Sequence, residues 1–143
     1  MQSVEAVRLL TFSGTFAILF SSAFGFVMLV PLQPWGKEML KKVNWKQIGH
    51  AHLDWIILGL MQGLVGGLIA VFELNPPQLA VWAVVVGGWM NALPYLFRGL
   101  GINAFSLSGG FFQITTALMG LFSSCAIVYG LYVVIDQAWS MWK

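Results

Sequence analysis

Nearly the whole chain is four apolar stretches, at about residues 9–30, 48–72, 79–97 and 109–135, each long enough to cross a bilayer. A hydrocarbon core roughly 30 Å thick is spanned by about 20 apolar residues in helical form. With no water inside lipid, a spanning segment must pair its backbone groups internally, which for stretches of this length means a helix. Only 8% of the 143 residues are charged, against about 25% in an ordinary soluble domain. The expected fold is therefore all-α: an integral membrane four-helix bundle with short loops, forming one transmembrane domain over residues 1–143. The first stretch follows Arg8 and runs unbroken through Phe24-Gly25-Phe26 to Pro31. That is longer than the roughly 7–15 apolar residues of a secretory signal, so it reads as a retained helix.

The charges are few but placed unevenly. Lys37, Lys41, Lys42 and Lys46 lie in the first loop and Arg98 opens the third, whereas the other side carries only Arg8 and Lys143. The positive-inside bias then puts the first and third loops in the cytoplasm, with both termini outside. The lysines alternate with Trp35, Met39, Leu40, Val43 and Trp45. Such a pattern predicts an amphipathic segment lying in the membrane interface, in contact with lipid, and speaks against nucleic acid as a partner. The single cysteine, Cys125, falls inside the fourth stretch, has no disulfide partner in the chain, and reads as packing.

Polar groups inside the stretches are the candidates for function, because burying them in lipid is costly unless they face a cavity, a ligand or one another. The second stretch opens with His50, His52 and Asp54. At 100° per residue, Gly59, Gly63 and Gly66–Gly67 fall on the side of His52, while His50 points almost the opposite way and shares its face with Asp54. A ladder of small residues every fourth position is commonly a close helix–helix contact. It also makes a groove without side chains, in which a flat ligand such as a porphyrin has room beneath an imidazole. Two histidines two residues apart cannot both reach one metal from a regular helix. One imidazole with an open coordination position suits haem iron better than a four-ligand zinc site. His52 is the first choice of ligand and His50 the second.

The third stretch carries Gly87-Gly88-Trp89-Met90-Asn91-Ala92-Leu93-Pro94-Tyr95-Leu96-Phe97. Gly87, Asn91 and Tyr95 share one helix face, and Pro94 is expected to kink the helix beside them. Asn91 as a cross-helix hydrogen-bonding group and Tyr95 as an interfacial anchor would account for both without any chemistry. The convergence of two polar side chains and a kink on one spot favours a site.

In these residues the chain resembles the small four-helix membrane isomerases typified by styrene oxide isomerase and related to the hydroxylaminobenzene mutases. A G-W-x-N-x-x-x-Y-x-F run on that family's third helix is matched by Gly88, Trp89, Asn91, Tyr95 and Phe97. Its Ala-His followed seven residues after the histidine by glycine is matched by Ala51, His52 and Gly59. The mutase branch's Ala-His-Leu-acidic run is matched by Ala51-His52-Leu53-Asp54, and a Phe-Gly late in the first helix by Phe24-Gly25. Two family positions differ: an asparagine of the second helix is Leu58 here, and an aspartate before the helix-three Gly-Trp is Gly87.

The resemblance implies a ferric haem b bound through His52, with Gly59, Gly63 and Trp89 beside it. It also implies a homo-oligomer, a trimer, with the haem near a subunit interface in a bacterial inner (cytoplasmic) membrane. The implied activity is redox-neutral isomerisation of a small lipophilic aromatic epoxide: Fe(III) acts as Lewis acid on the oxygen, the benzylic C–O bond opens, a hydride shifts and an aldehyde forms. Tyr95 and Asn91 are the expected catalytic side chains, the phenol donating to the developing oxyanion and the amide orienting it. Eleven Phe, seven Trp and three Tyr can line the dry pocket such a cation needs. Three alternatives remain: a hydroxylamine rearrangement, an electron-transfer haem protein, and a cofactor-free lipid-interacting bundle in which Phe12, Phe16, Phe20 and Phe24 form a packing stripe.

Overall fold

The computed structural model describes residues 2–39, 41–141 and 143, with the backbone alone at Lys37 and Met39, so Leu40 of the first loop lies outside the described residues. Helix α1 runs over Ser3–Val27. A 3-10 turn at Val30–Leu32 and the six-residue helix α2 (Pro34–Met39) come next. The following two long elements are α3 (Trp45–Val71) and α4 (Gln78–Asn91), then the short α5 (Leu93–Gly99) and α6 (Phe111–Ser140). No strand occurs among the described residues. Four segments are long and apolar enough to span a membrane: Ser3–Leu32, Trp45–Val71, Gln78–Gly99 and Phe111–Ser140. The expected four-helix membrane bundle is what the chain forms.

The helices overrun the apolar windows that announce them. At about 1.5 Å per residue, the 30 residues of α6 exceed what the hydrocarbon core needs, so its last turns stand in the interface. Hydropathy marks the part of a helix that lipid surrounds, and the backbone hydrogen bonds continue past it. Local chemistry sets the ends. Asn44 caps α3 by accepting from the Gln47 N–H at 3.3 Å, which satisfies one of the orphan donors of the first turn. Pro94 has no N–H and its ring collides with the preceding turn, and the third span accordingly breaks at Ala92 into α4 and α5.

The bundle is two antiparallel pairs, α1 on α3 and α4 on α6, with α5 closing over the start of α3. The main core joins the pairs through Ala6, Leu10, Val65, Ile69, Val81, Val84 and Val134, all buried. A smaller cluster of Ala51, Trp55 and Ala92 lies at the other end. The first and third loops are tied there, where the Asn44 N–H donates to the Gly99 carbonyl at 2.8 Å. The short helix α2 lies in the first loop with Trp35 61% exposed. Its one described ion pair, Lys41–Glu38 at 2.6 Å, is solvent-exposed on both sides, and such pairs contribute at most about 1 kcal/mol.

Candidate functional site

The sequence predicts one site; the fold separates its residues onto two sides of α3. His52 and Tyr95 do not meet within the chain.

On the first side, His52 turns toward α1. Its Nδ1 lies 2.9 Å from the Ser21 backbone carbonyl and 2.8 Å from Ser21 Oγ. The Ser21 hydroxyl in turn donates to the His52 carbonyl at 2.6 Å. A carbonyl can only accept and a hydroxyl has one proton to give. The proton of the ring therefore sits on Nδ1, donated to Ser21, and in the neutral imidazole Nε2 carries the bare lone pair. Ser21 is fully buried, so this clamp is sheltered from competing water. Gly25, one turn further along α1, faces the ring: a Cβ there would lie 3.1 Å from Cε1 and 3.7 Å from Nε2.

Below His52 the glycine ladder divides between its two possible uses. Gly59 and Gly66 are contacts. A Cβ at Gly59 would stand 2.6 Å from the Gly14 carbonyl and 2.9 Å from Ile18, and one at Gly66 would press on Thr11 at 3.2 Å. Gly63 and Gly67 meet nothing within 4 Å. They floor an apolar groove of about 520 Å³ that Gly59 also borders, shared with Thr15, Ile18, Leu64 and Leu68. The ladder thus brings α1 close on one edge and leaves a trough on the other.

Trp89 does not join this groove, contrary to the expectation that it lies beside a cofactor there. Its indole N–H donates to Ser13 Oγ at 3.0 Å and its ring packs on Phe16 and Phe20, with centroids 5.6 and 5.7 Å away. Its carbonyl accepts from the Trp55 indole at 3.2 Å. These contacts fill the space between α1, α3 and α4 with aromatic rings. They also engage Phe16, Phe20 and Phe24 of the α1 stripe, while Phe12 is 73% exposed.

On the second side, Asn91, Pro94 and Tyr95 line a cavity of about 370 Å³ with Phe105, Leu121 and Ser124. The helix break at Ala92 brings this about: it turns Tyr95 toward the loop after α5, and the Pro94 ring fits against Gly120 of α6, where a Cβ would stand 2.9 Å away. Asn91 Oδ1 lies 3.2 Å from Ser123 Oγ and 3.0 Å from Ser124 Oγ, hydroxyls that also lie 2.8 and 3.0 Å from the Gly120 carbonyl of their own helix; with one proton each, they share it between the amide and their own turn. The Tyr95 ring packs on Phe105 at 4.9 Å and on His50 at 5.6 Å. His50 points almost opposite to His52 on α3, which places Asn91 and Tyr95 on the far side of that helix from the clamped imidazole.

One departure from the pattern of the resembling family gains a physical reason. Gly87 lies against α6, where a Cβ would stand 2.8 Å from both the Ser123 carbonyl and Ile127, so no carboxylate fits there with α6 in place. Gln62, a possible stand-in for the missing polar groups, is fully buried with neither amide atom hydrogen-bonded. It is pressed against Gly88 and reaches neither cavity.

Sequence reasoning missed Ser21, Ser123 and Ser124. Serines within apolar helices usually bond their own preceding turn, as Ser22 does with the Ile18 carbonyl, so nothing in the sequence distinguishes the ones that reach across. Among the described residues no three His, Cys, Asp or Glu side chains cluster. A metal here would have to bring most of its own ligands, as a porphyrin does. The donor set fits that group: one neutral imidazole, its far nitrogen fixed and its near one bare, which is the arrangement metal-bound histidines usually show. No known family model, curated protein or solved structure matches the chain.

Proposed function

We propose that the chain is a haem-binding membrane isomerase of the kind it resembles. His52 Nε2 ligates a ferric haem b, and Asn91 and Tyr95 act on a small lipophilic substrate bearing a strained or N-bound oxygen. The observation that carries the reading is the Ser21 clamp, which leaves Nε2 of His52 as the accepting nitrogen on the same helix that carries the open rungs Gly63 and Gly67. When bound there, the haem supplies a Lewis-acidic iron for the substrate oxygen.

The remaining work falls to side chains of this chain. The Tyr95 hydroxyl and the Asn91 amide both border the 370 Å³ cavity, where they can hydrogen-bond an oxygen that gains negative charge. Phe105, Leu107 and Leu121 give it apolar walls, a surrounding of low polarity in which such bonds gain strength. No general base is needed for a redox-neutral rearrangement. Since His52 lies across α3 from Asn91 and Tyr95, the reading requires the groove of one copy to meet the cavity of another. A homo-oligomer is then needed, with the trimer of the resemblance as its proposed form, in a bacterial cytoplasmic membrane with the lysine-bearing loops inside.

The test is an absorption spectrum of the protein purified in detergent and loaded with haem. Wild type should give a Soret band that His52→Ala abolishes and His50→Ala retains. A band that survives in His52→Ala and disappears in His50→Ala would move the iron to the Tyr95 side of α3. No band in any of the three would remove the haem. Conversion of styrene oxide to phenylacetaldehyde, with hydroxylaminobenzene as the second substrate, then separates the two branches of the resemblance.

A further inference from the structure

The α1–α3 face carries a second polar site at its other end. Ala70 is 18 residues beyond His52 on α3, which is ~27 Å along the helix. There, a cavity of about 620 Å³ is lined by Arg8, Glu73, Ser3, Val4, Val7 and Ala70. α1 begins and α3 ends at this level, so the cavity opens at the bilayer boundary rather than within its core.

Two features of Glu73, which is exposed, are unfavourable for folding. It has φ +50°, a left-handed conformation that glycine or asparagine ordinarily takes at the position after a helix C-cap. The surrounding turn requires it: the Leu74 N–H donates back to the Ile69 carbonyl at 3.0 Å, and both of these apolar residues are buried. Its carboxylate stands at the C-terminus of α3, the negative end of the helix dipole. Among the described residues neither Glu73 nor Arg8 belongs to an ion pair, although both border one cavity. Glu5, the other acid near the start of α1, is occupied with the Gln2 N–H at 3.1 Å. A strained, unpaired acid where glycine would be more stable points to a role other than stability.

The electrostatics of the cavity are bipolar. The start of α1 and Arg8 favour an anion, and the end of α3 and Glu73 favour a cation. Val4, Val7 and Ala70 supply an apolar floor between them, and Ala70, Gly67 and Gly63 continue along one stripe of α3 into the open trough. We propose that this cavity binds the headgroup of an aminophospholipid, with its phosphate on Arg8 and its ammonium on Glu73. The first methylenes of an acyl chain lie toward Gly67. A primary ammonium is specified over a quaternary one because only the former donates hydrogen bonds to a carboxylate.

Native mass spectrometry of the detergent-purified full chain tests this, with phosphatidylethanolamine, phosphatidylcholine and phosphatidylglycerol of identical acyl chains offered in equal amounts. Phosphatidylethanolamine should be retained several-fold over the other two. Glu73→Gln should abolish that preference, and Arg8→Gln should lower retention of all three. Glu73→Gly relaxes the backbone, so it should lose the preference while raising the melting temperature in detergent, which separates binding from folding. Equal retention of phosphatidylethanolamine and phosphatidylcholine would overturn the proposal. So would an unchanged lipid profile in Glu73→Gln, or displacement of the lipid by millimolar inorganic phosphate. The Soret absorbance of the same haem-loaded samples should not change, because His52 lies at the other end of the face.

Discussion

The α1–α3 pair and the α4–α6 pair solve one problem with the same residue and reach opposite results. In each, glycines let the backbones of two membrane helices approach closely: Gly14 and Gly59 in the first, Gly87 and Gly130 in the second. Without a hydrophobic force between helices in lipid, such close packing is much of what holds a bundle together. On α3 the ladder continues past the contact, so Gly63 and Gly67 are left open and floor a trough bordered by Thr15 and Ile18 of α1. Beyond α4 the third span breaks before Pro94, so Asn91 and Tyr95 border a cavity against α6. One pair clamps a single imidazole between its helices, and the other sets two hydrogen-bonding side chains on one cavity. Small residues therefore do not by themselves mark a site. Their neighbours further along the helix decide whether space is closed, opened or folded inward.

Substituting within each ladder tests this contrast, and Gly87→Asp should have the largest effect. It restores the acid of the resembling family where the Ser123 carbonyl and Ile127 leave no room, adding a buried charge without a partner to an overpacked contact. A loss of about 3–5 kcal/mol is expected, read as failure to recover folded protein from the membrane. Normal yield and melting temperature would mean that α4 and α6 do not touch at Gly87. Next is Gly59→Leu against Gly63→Leu. The first should cost about 1–3 kcal/mol by forcing α1 off α3, seen as a lower melting temperature in detergent. The second should leave melting unchanged, fill the trough and weaken haem loading. Equal effects of the two would erase the distinction between closed and open rungs.

The next substitution moves to the Asn91–Tyr95 side. Tyr95→Phe should lower turnover roughly 10²-fold, the usual loss on removing one donor to a developing oxyanion, while the Soret band keeps its position. A shifted band with intact turnover would place Tyr95 near the iron rather than near the substrate oxygen.

How legible each side was from the sequence obeys the same division. Four spans, the break at Pro94 and the opposite headings of His50 and His52 were all readable, because hydropathy, a missing N–H and a 100° rotation act within one helix. The pairing of helices was not. Whether Gly63 touches α1 or lies open depends on which edge of the ladder α1 approaches, and no local pattern encodes that. The same holds for Trp89, whose place in the family motif suggested a cofactor neighbour but whose indole is engaged by Ser13 across the bundle. Ser21 shows the limit most clearly: a small hydroxyl in an apolar run becomes the partner of His52 only once α1 and α3 are set in register.

That serine supplies the smallest and most discriminating prediction. Ser21→Ala removes the hydroxyl from the clamp but leaves the backbone carbonyl 2.9 Å from Nδ1, so the proton should stay on Nδ1 while the ring gains freedom. Haem affinity should fall by about 10-fold, the low end of what loss of an outer-shell partner costs, with no change in folding yield. Because the tautomer is a property of the protein alone, nitrogen-15 histidine spectra of the haem-free chain can read it directly. Wild type and Ser21→Ala should both show a protonated Nδ1 and a bare Nε2 at His52, with broader signals in the variant. A protonated Nε2 in the wild type would mean that the imidazole offers no lone pair to the groove. The open edge of the α1–α3 pair would then be a surface for lipid alone.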